Sequence, residues 1–177
     1  LAGLRRELAV NELLREDYPD LCHAARKQNG TAVADSQSMM YTRSGFSFSA
    51  RGIDTEVLGL VDPTNRRPDM LLLDDIEGEE GAGYSAYQAS KRLTTIIDAI
   101  LPLNIYARVV LSGTVTMPGS ITHQLVKWGK GEQSEANAWV GEQQFRVHHH
   151  LPVIRDDFGR ERSMWPSKWP LDFLKKI

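Results

Sequence analysis

Residues 66–77 read Arg66-Arg67-Pro68-Asp69-Met70-Leu71-Leu72-Leu73-Asp74-Asp75-Ile76-Glu77, and this stretch decides the fold class. Four consecutive apolar residues, Met70 to Leu73, run straight into two aspartates. A short uninterrupted apolar run suits a strand buried on both faces, as in a parallel sheet between helix layers. Such sheets carry ligands at the carboxyl ends of their strands. Two adjacent carboxylates there are costly to bury unless a cation or a proton compensates them. The pattern therefore suits a Walker B element, in which one acid supports hydrated Mg²⁺ beside a nucleotide and a neighbouring acid orients the attacking water. An acidic loop after an ordinary core strand reads the same way.

Outward from this strand, Gly78, Gly81 and Gly83 predict a flexible connection, and a helix fits Tyr84 to Ile100 with Tyr87, Leu93, Ile96, Ile97 and Ile100 on one face. Tyr106 to Leu111 is a second buried-strand candidate that delivers Ser112-Gly113-Thr114 at its carboxyl end. Ile121 to Trp128 fits a helix ended by Gly129, and Gln144 to Ile154 a third strand interrupted by Pro152. On the N-terminal side, the leucines from Leu1 to Leu14 predict a helix ending near Asp17, because Pro19 disfavours α geometry just before it. Thr31 to Ala34 and Phe46 to Ser49 read as short strands. The alternation of strand and helix predicts an α/β sandwich with a largely parallel core. Right-handed crossovers then bring the tips near Asp75 and Thr114 to one sheet edge.

The 177 residues suffice for one sizeable core, and 41% hydrophobic with 25% charged residues is a globular balance. No apolar run approaches the roughly 20 residues of a membrane span. The single Cys22 excludes an intrachain disulfide and fits a reducing compartment. A net charge of −2 gives no global basic excess for nucleic acid, although a local basic surface is compatible with it. Leu1 in place of a methionine suggests a fragment.

Asp74 is the first candidate for Mg²⁺ support, since that ion prefers oxygen ligands and keeps several waters. Asp75 stands where water activation is expected, with Glu77 as its rival; Glu79 and Glu80 read as solvated loop charges. Ser112, Gly113 and Thr114 place small hydroxyl donors where a γ-phosphate would lie. Arg51, at a strand end before Gly52, is a candidate charge-stabilising finger toward a neighbouring subunit, against the plainer reading of a surface arginine. His148, His149 and His150 alternate faces on a strand and lack acidic or cysteine partners at ligand spacing, which favours an exposed segment over a metal site. The chain contains no Gly-x-x-x-x-Gly-Lys-Ser/Thr phosphate-cradling loop.

The order of these pieces resembles the ATPase domain of tailed-phage terminase large subunits. The matching residues are Asn11-Glu12-Leu13-Leu14 through Tyr18-Pro19, Ala50-Arg51-Gly52, Arg67-Pro68-Asp69 with Leu71 to Glu77, Val109 to Thr114, and Trp165-Pro166 through Trp169. The resemblance implies a P-loop NTPase-like sandwich of the ASCE type, truncated before its Walker A loop. It implies a partial ATPase domain over residues 1–162 and a junction over 163–177 leading to an absent nuclease. It further implies ATP as substrate with Mg²⁺, and Asp74 as the metal-supporting acid. Asp75 or Glu77 would then activate water, and Ser112-Gly113-Thr114 would couple hydrolysis to DNA movement. The partners so implied are double-stranded DNA, the terminase small subunit, the portal protein and a homo-oligomeric ring, in the host cell cytoplasm and with no membrane. Two alternatives stay open: another P-loop translocase or helicase-like ATPase, and a non-catalytic α/β binding module.

Overall fold

The computed structural model describes residues 1–55, 59–78 and 84–175, and the chain divides into two compact units, Leu1–Ser120 and Ile121–Ile177. Glu79, Glu80, Gly81 and Gly83 lie outside the described residues.

The first unit opens with helices α1 (Ala2–Val10), α2 (Glu12–Asp17) and α3 (Pro19–Cys22). Where the leucine pattern predicts one continuous helix, Asn11 interrupts it. Its backbone is extended, and its side chain accepts the Leu14 N–H, an N-cap that restarts the helix. Strands β1 (Asp35–Ser36), β2 (Met39–Tyr41) and β3 (Ser47–Ser49) form an antiparallel sheet in that order. Arg5 of α1 reaches this sheet and donates to the Asp35 carboxylate and the Ser36 and Met39 carbonyls. Thr31 to Ala34, expected as a strand, contributes only an isolated bridge between Ala32 and Arg26.

β4 (Met70–Asp74) and β5 (Arg108–Ser112) pair in parallel, from Met70 opposite Arg108 to Asp74 opposite Ser112. Between them lies α4 (Ala86–Thr95), which starts at a reciprocal capping box between Ser85 and Gln88. It continues into a π-helical turn, Ile96–Ile100, and a 3₁₀ turn, Leu101–Leu103. Ala89, Ile96, Ile100 and Leu103 are buried, whereas Tyr87, expected on the apolar face, is 79% exposed. The strand pair is not covered on both sides, as the apolar run predicts. Leu71 and Leu73 are buried, while Met70 and Leu72, which alternate with them in the pleat, are 57% and 62% exposed.

In the second unit, α5 (Ile121–Gly129) is followed by a 3₁₀ turn, Glu135–Asn137, and α6 (Ala138–Glu142). Of the third strand expected over Gln144 to Ile154, the described residues show only its end, Val153 and Ile154. Gln144 adopts φ 56°, Phe145 N–H donates to Val140 carbonyl, and its ring meets Trp139 edge-on at 5.7 Å. That stretch therefore closes α6 instead of pairing. Only β6 (Val153–Arg155) is a strand, and it pairs antiparallel with β7 (Glu161–Ser163) ahead of α7 (Leu171–Leu174). Among the described residues the protein is thus mixed α/β, with one small parallel sheet and two small antiparallel ones. No helix among the described residues is long and apolar enough to cross a membrane.

Candidate functional site at the carboxyl ends of β4 and β5

The parallel register brings the two singled-out segments to one edge. Asp74 is the register partner of Ser112, and the next residue, Asp75, donates its backbone N–H to the Ser112 carbonyl at 3.1 Å. Ser112, Gly113 and Thr114 leave β5 at the same end and are exposed, as are Asp74 and Asp75. The pairing of two apolar strands sets this arrangement, because each strand places its polar residues immediately after its last apolar one.

Asp75 adopts φ 45°, a left-handed geometry that is uncommon outside glycine. Aspartate is among the side chains that tolerate it best. The turn redirects the chain so that Ile76 is buried and Glu77 half-buried, while both aspartates stay in solvent. The acids thus fall into two settings: an exposed pair and one carboxylate held against the protein.

Glu77 is held by Tyr84, whose hydroxyl donates to its Oε1 at 2.7 Å. Tyr84 is 8% exposed and clusters with the buried Ala89 and Met117. Burial pushes the Tyr84 phenol far above its ordinary range, and the neighbouring Glu77 carboxylate pushes it further, against the opposing Arg92 charge. Arg92 of α4 lies over the Tyr84 ring at 5.1 Å and donates from Nη1 to the Ile76 carbonyl at 2.7 Å. Its Nη2 meets the Asp54 carboxylate at 2.8 Å.

Arg51 is exposed, in the segment between β3 and Asp54. Gly52 carbonyl there accepts the Thr55 N–H and hydroxyl, forming a turn. Through Asp54 and Arg92, that turn is tied to the loop carrying Glu77. The structure thus gathers the Asp74–Glu77 segment, the Ser112–Thr114 segment and, through one ion pair, the loop that bears Arg51.

Sequence reasoning missed Tyr84, Arg92 and Asp54. A signal for Arg92 was present: it lies three residues after Ala89 and four before Ile96, on the buried face of α4, where an arginine requires acceptors. Asp54 carried no such signal, since its partner lies 38 positions away. His148, His149 and His150 are exposed, and no cluster of three His, Cys, Asp or Glu able to hold a metal occurs among the described residues. The concavity lined by His23, Ala24, Ala25, Arg26 and Arg43 shares no residue with this edge.

Comparison with known proteins finds no matching family model, no matching curated protein and no matching solved structure.

Proposed function

We propose that this chain is part of a terminase-type, ATP-driven motor that moves double-stranded DNA, and that the β4–β5 edge is its hydrolytic corner. The observation that carries the reading is the Asp74–Ser112 register with the Asp75 N–H on the Ser112 carbonyl. It puts acids and small hydroxyls at one strand end, where parallel sheets take their ligands. The left-handed Asp75 supports it, since uncommon backbone geometry of this kind concentrates at functional sites.

The donor set fits Mg²⁺ as nucleotide-dependent sites hold it, through one or two carboxylates with phosphates and water supplying the rest. Asp74 would hold the ion, which when bound neutralises charge on the transferred phosphoryl group. Asp75 or Glu77 would orient water, and Ser112 and Thr114 would donate to phosphate oxygens. The phosphate-cradling loop that such a site requires is not among these 177 residues, and in this reading it comes from preceding chain.

The exposed face of β4–β5 supports the same reading. Val110 is 45% exposed beside Leu72 and Met70, leaving an apolar stripe on a parallel pair. Parallel strands are normally covered on both faces, so the pair suits the interior of a wider sheet. The exposure of both aspartates favours the second reading, a binding module with a solvated acidic loop.

One experiment separates them. In the full-length protein carrying its upstream loop, Asp74→Ala is expected to lower Mg²⁺-dependent ATP turnover at least about a hundredfold, ~2.7 kcal/mol of barrier. Circular dichroism should show the fold retained. Unchanged turnover in a folded Asp74→Ala variant leaves the acidic loop as surface.

A further inference from the structure

Between Asp20 and Asp54 the chain carries four cations, Arg26, Lys27, Arg43 and Arg51, and a single acid, Asp35. That acid is paired with Arg5. In a protein of net charge −2 this stretch is a local basic excess. The fold gathers part of it around a concavity of about 530 Å³, lined by His23, Ala24, Ala25, Arg26 and Arg43. The backbone beneath is well tied. Ala25 N–H donates to the Tyr41 carbonyl and Arg43 N–H to the His23 carbonyl, on either side of an Ala24–Thr42 bridge. Val33 N–H donates to the Ala25 carbonyl and Lys27 N–H to the Thr31 carbonyl, around a second bridge between Arg26 and Ala32. One step from the first bridge, His23 and Arg43 stand opposite each other and share a face. The two alanines add only methyl groups, which leaves the space between the charged side chains open.

Each charged side chain there is anchored through one atom and keeps donors for a ligand. His23 Nδ1 donates to the Pro19 carbonyl at 2.7 Å, which leaves Nε2. Arg26 Nη1 donates to the Gly30 carbonyl at 2.7 Å, leaving Nη2 and Nε. Arg43 Nε lies 3.4 Å from Asp20 Oδ1, leaving both Nη groups. Asp20 offsets one charge, and it is itself 62% exposed, so two guanidiniums and an imidazole keep a positive balance.

We propose that this concavity binds a phosphate group, with Arg26 and Arg43 donating to its oxygens and His23 completing the set. A guanidinium fixed at one end presents its remaining N–H groups as a preset fork, the geometry that suits phosphate. Several acceptor oxygens on one centre match donors converging from three side chains. The volume lies within the roughly 300–1,000 Å³ of small-ligand sites. His23, Arg26 and Arg43 are exposed, so a phosphate reaches them whether it belongs to a small molecule or to a nucleic-acid backbone. None of these residues belongs to the β4–β5 edge, so binding here is independent of ATP hydrolysis there.

The test titrates the full chain with inorganic phosphate and, separately, with a short DNA duplex, following backbone amide shifts. Saturable shifts at His23, Ala24, Ala25, Arg26 and Arg43 are expected. With inorganic phosphate they assign a small phosphorylated ligand; with DNA alone they assign a nucleic-acid backbone. Arg26→Gln and Arg43→Gln should each weaken binding about fivefold, a modest factor because both side chains are exposed. In the DNA arm each should also lower the slope of log affinity against log salt by about 1. Ala25→Leu keeps every charge and fills the floor, so it should abolish binding in a protein whose circular dichroism is unchanged. Arg155→Gln, which removes an exposed arginine of the second unit, should leave binding as it was. No saturable shift with either probe overturns the site. Equal losses in Arg43→Gln and Arg155→Gln, or full binding in a folded Ala25→Leu variant, overturn it too, because net charge and not the concavity then holds the anion. If Ala25→Leu does not fold, the two exposed arginine variants decide.

Discussion

Asp62-Pro63-Thr64-Asn65-Arg66 in the first unit and Asp156-Asp157-Phe158-Gly159-Arg160 in the second build the same five-residue turn. In each, the aspartate N–H donates to the arginine carbonyl, and the aspartate carbonyl accepts the fourth residue's N–H. One carboxylate oxygen accepts the N–H groups of the third and fifth residues, and the other accepts the arginine Nε. The fourth residue is left-handed in both, with φ 63° at Asn65 and 76° at Gly159.

What differs is what surrounds them. Asp62 has a side chain 9% exposed, against 32% for Asp156. Arg66 also donates to the Gly45 carbonyl at 2.9 Å, fastening its turn to the hairpin between β2 and β3. Arg160 instead lies over Phe158 of its own turn, and that ring is 84% exposed. The lesson is that local sequence suffices to form the turn, whereas its contribution to stability depends on burial and on the bond that leaves it.

The sharpest way to break this comparison is to remove each aspartate. Asp62→Ala strips a shielded acceptor from several donors and is expected to cost about 2 kcal/mol, read as a fall in urea midpoint. Asp156→Ala should shift that midpoint far less. Equal losses would mean that burial contributes nothing and the turn acts only locally.

Acid should separate them next. Burial alone would raise the Asp62 carboxyl, but the Arg66 and Thr64 backbone N–H groups and both side chains outweigh it and hold it at about 2. Its folded value lies below the ordinary 3.8, so its contribution is complete above about pH 4 and is lost as pH falls toward 2. Asp156 is also lowered, chiefly by the Arg160 backbone N–H. Chemical-shift titration of the two carboxyls, beside stability measured over that range, should show the pH dependence greatly reduced in Asp62→Ala. A curve unaltered by that substitution would assign acid sensitivity elsewhere.

A smaller effect is expected at the left-handed position. Nothing lies within 4 Å of a Cβ built on Gly159, so Gly159→Ala isolates backbone strain and should cost about 1 kcal/mol. Gly159→Asn should cost only a few tenths of that, because asparagine already holds the same place in the other turn. Arg66→Lys is the mildest test, at about 0.5–1 kcal/mol for the lost fork geometry and its Gly45 bond. Arg160→Lys should be near neutral. If the two lysine variants behave alike, the Gly45 bond does not distinguish the turns.

The candidate site shows the same division between local and distant causes. The acidic end of the Met70–Leu73 strand, the hydroxyls after the second strand and their shared edge were legible, because polarity changes sharply after each apolar run. The different settings of Asp75 and Glu77 were not legible. They depend on a left-handed turn at Asp75 and on Tyr84, which lies seven residues beyond Glu77 and is buried.

By itself, then, the sequence determined the elements whose causes are local: the β4 and β5 runs, the Ser85–Gln88 capped helix, the pre-proline break at Tyr18 and the twin aspartate turns. It also set the parallel pairing, through the helix that links the two strands. Tertiary structure alone decided which face of β4 is covered, since a run of apolar residues carries no alternation to mark an outer side. It likewise decided that Gln144 and Phe145 close α6 instead of starting a strand, because Phe145 meets the Trp139 ring and donates its N–H to the Val140 carbonyl. Arg92 binding Asp54 across 38 positions belongs with these, for no window of sequence contains both partners. The physical reason is common to all three: burial and long-range hydrogen bonds are properties of neighbours in space, which local propensity does not specify.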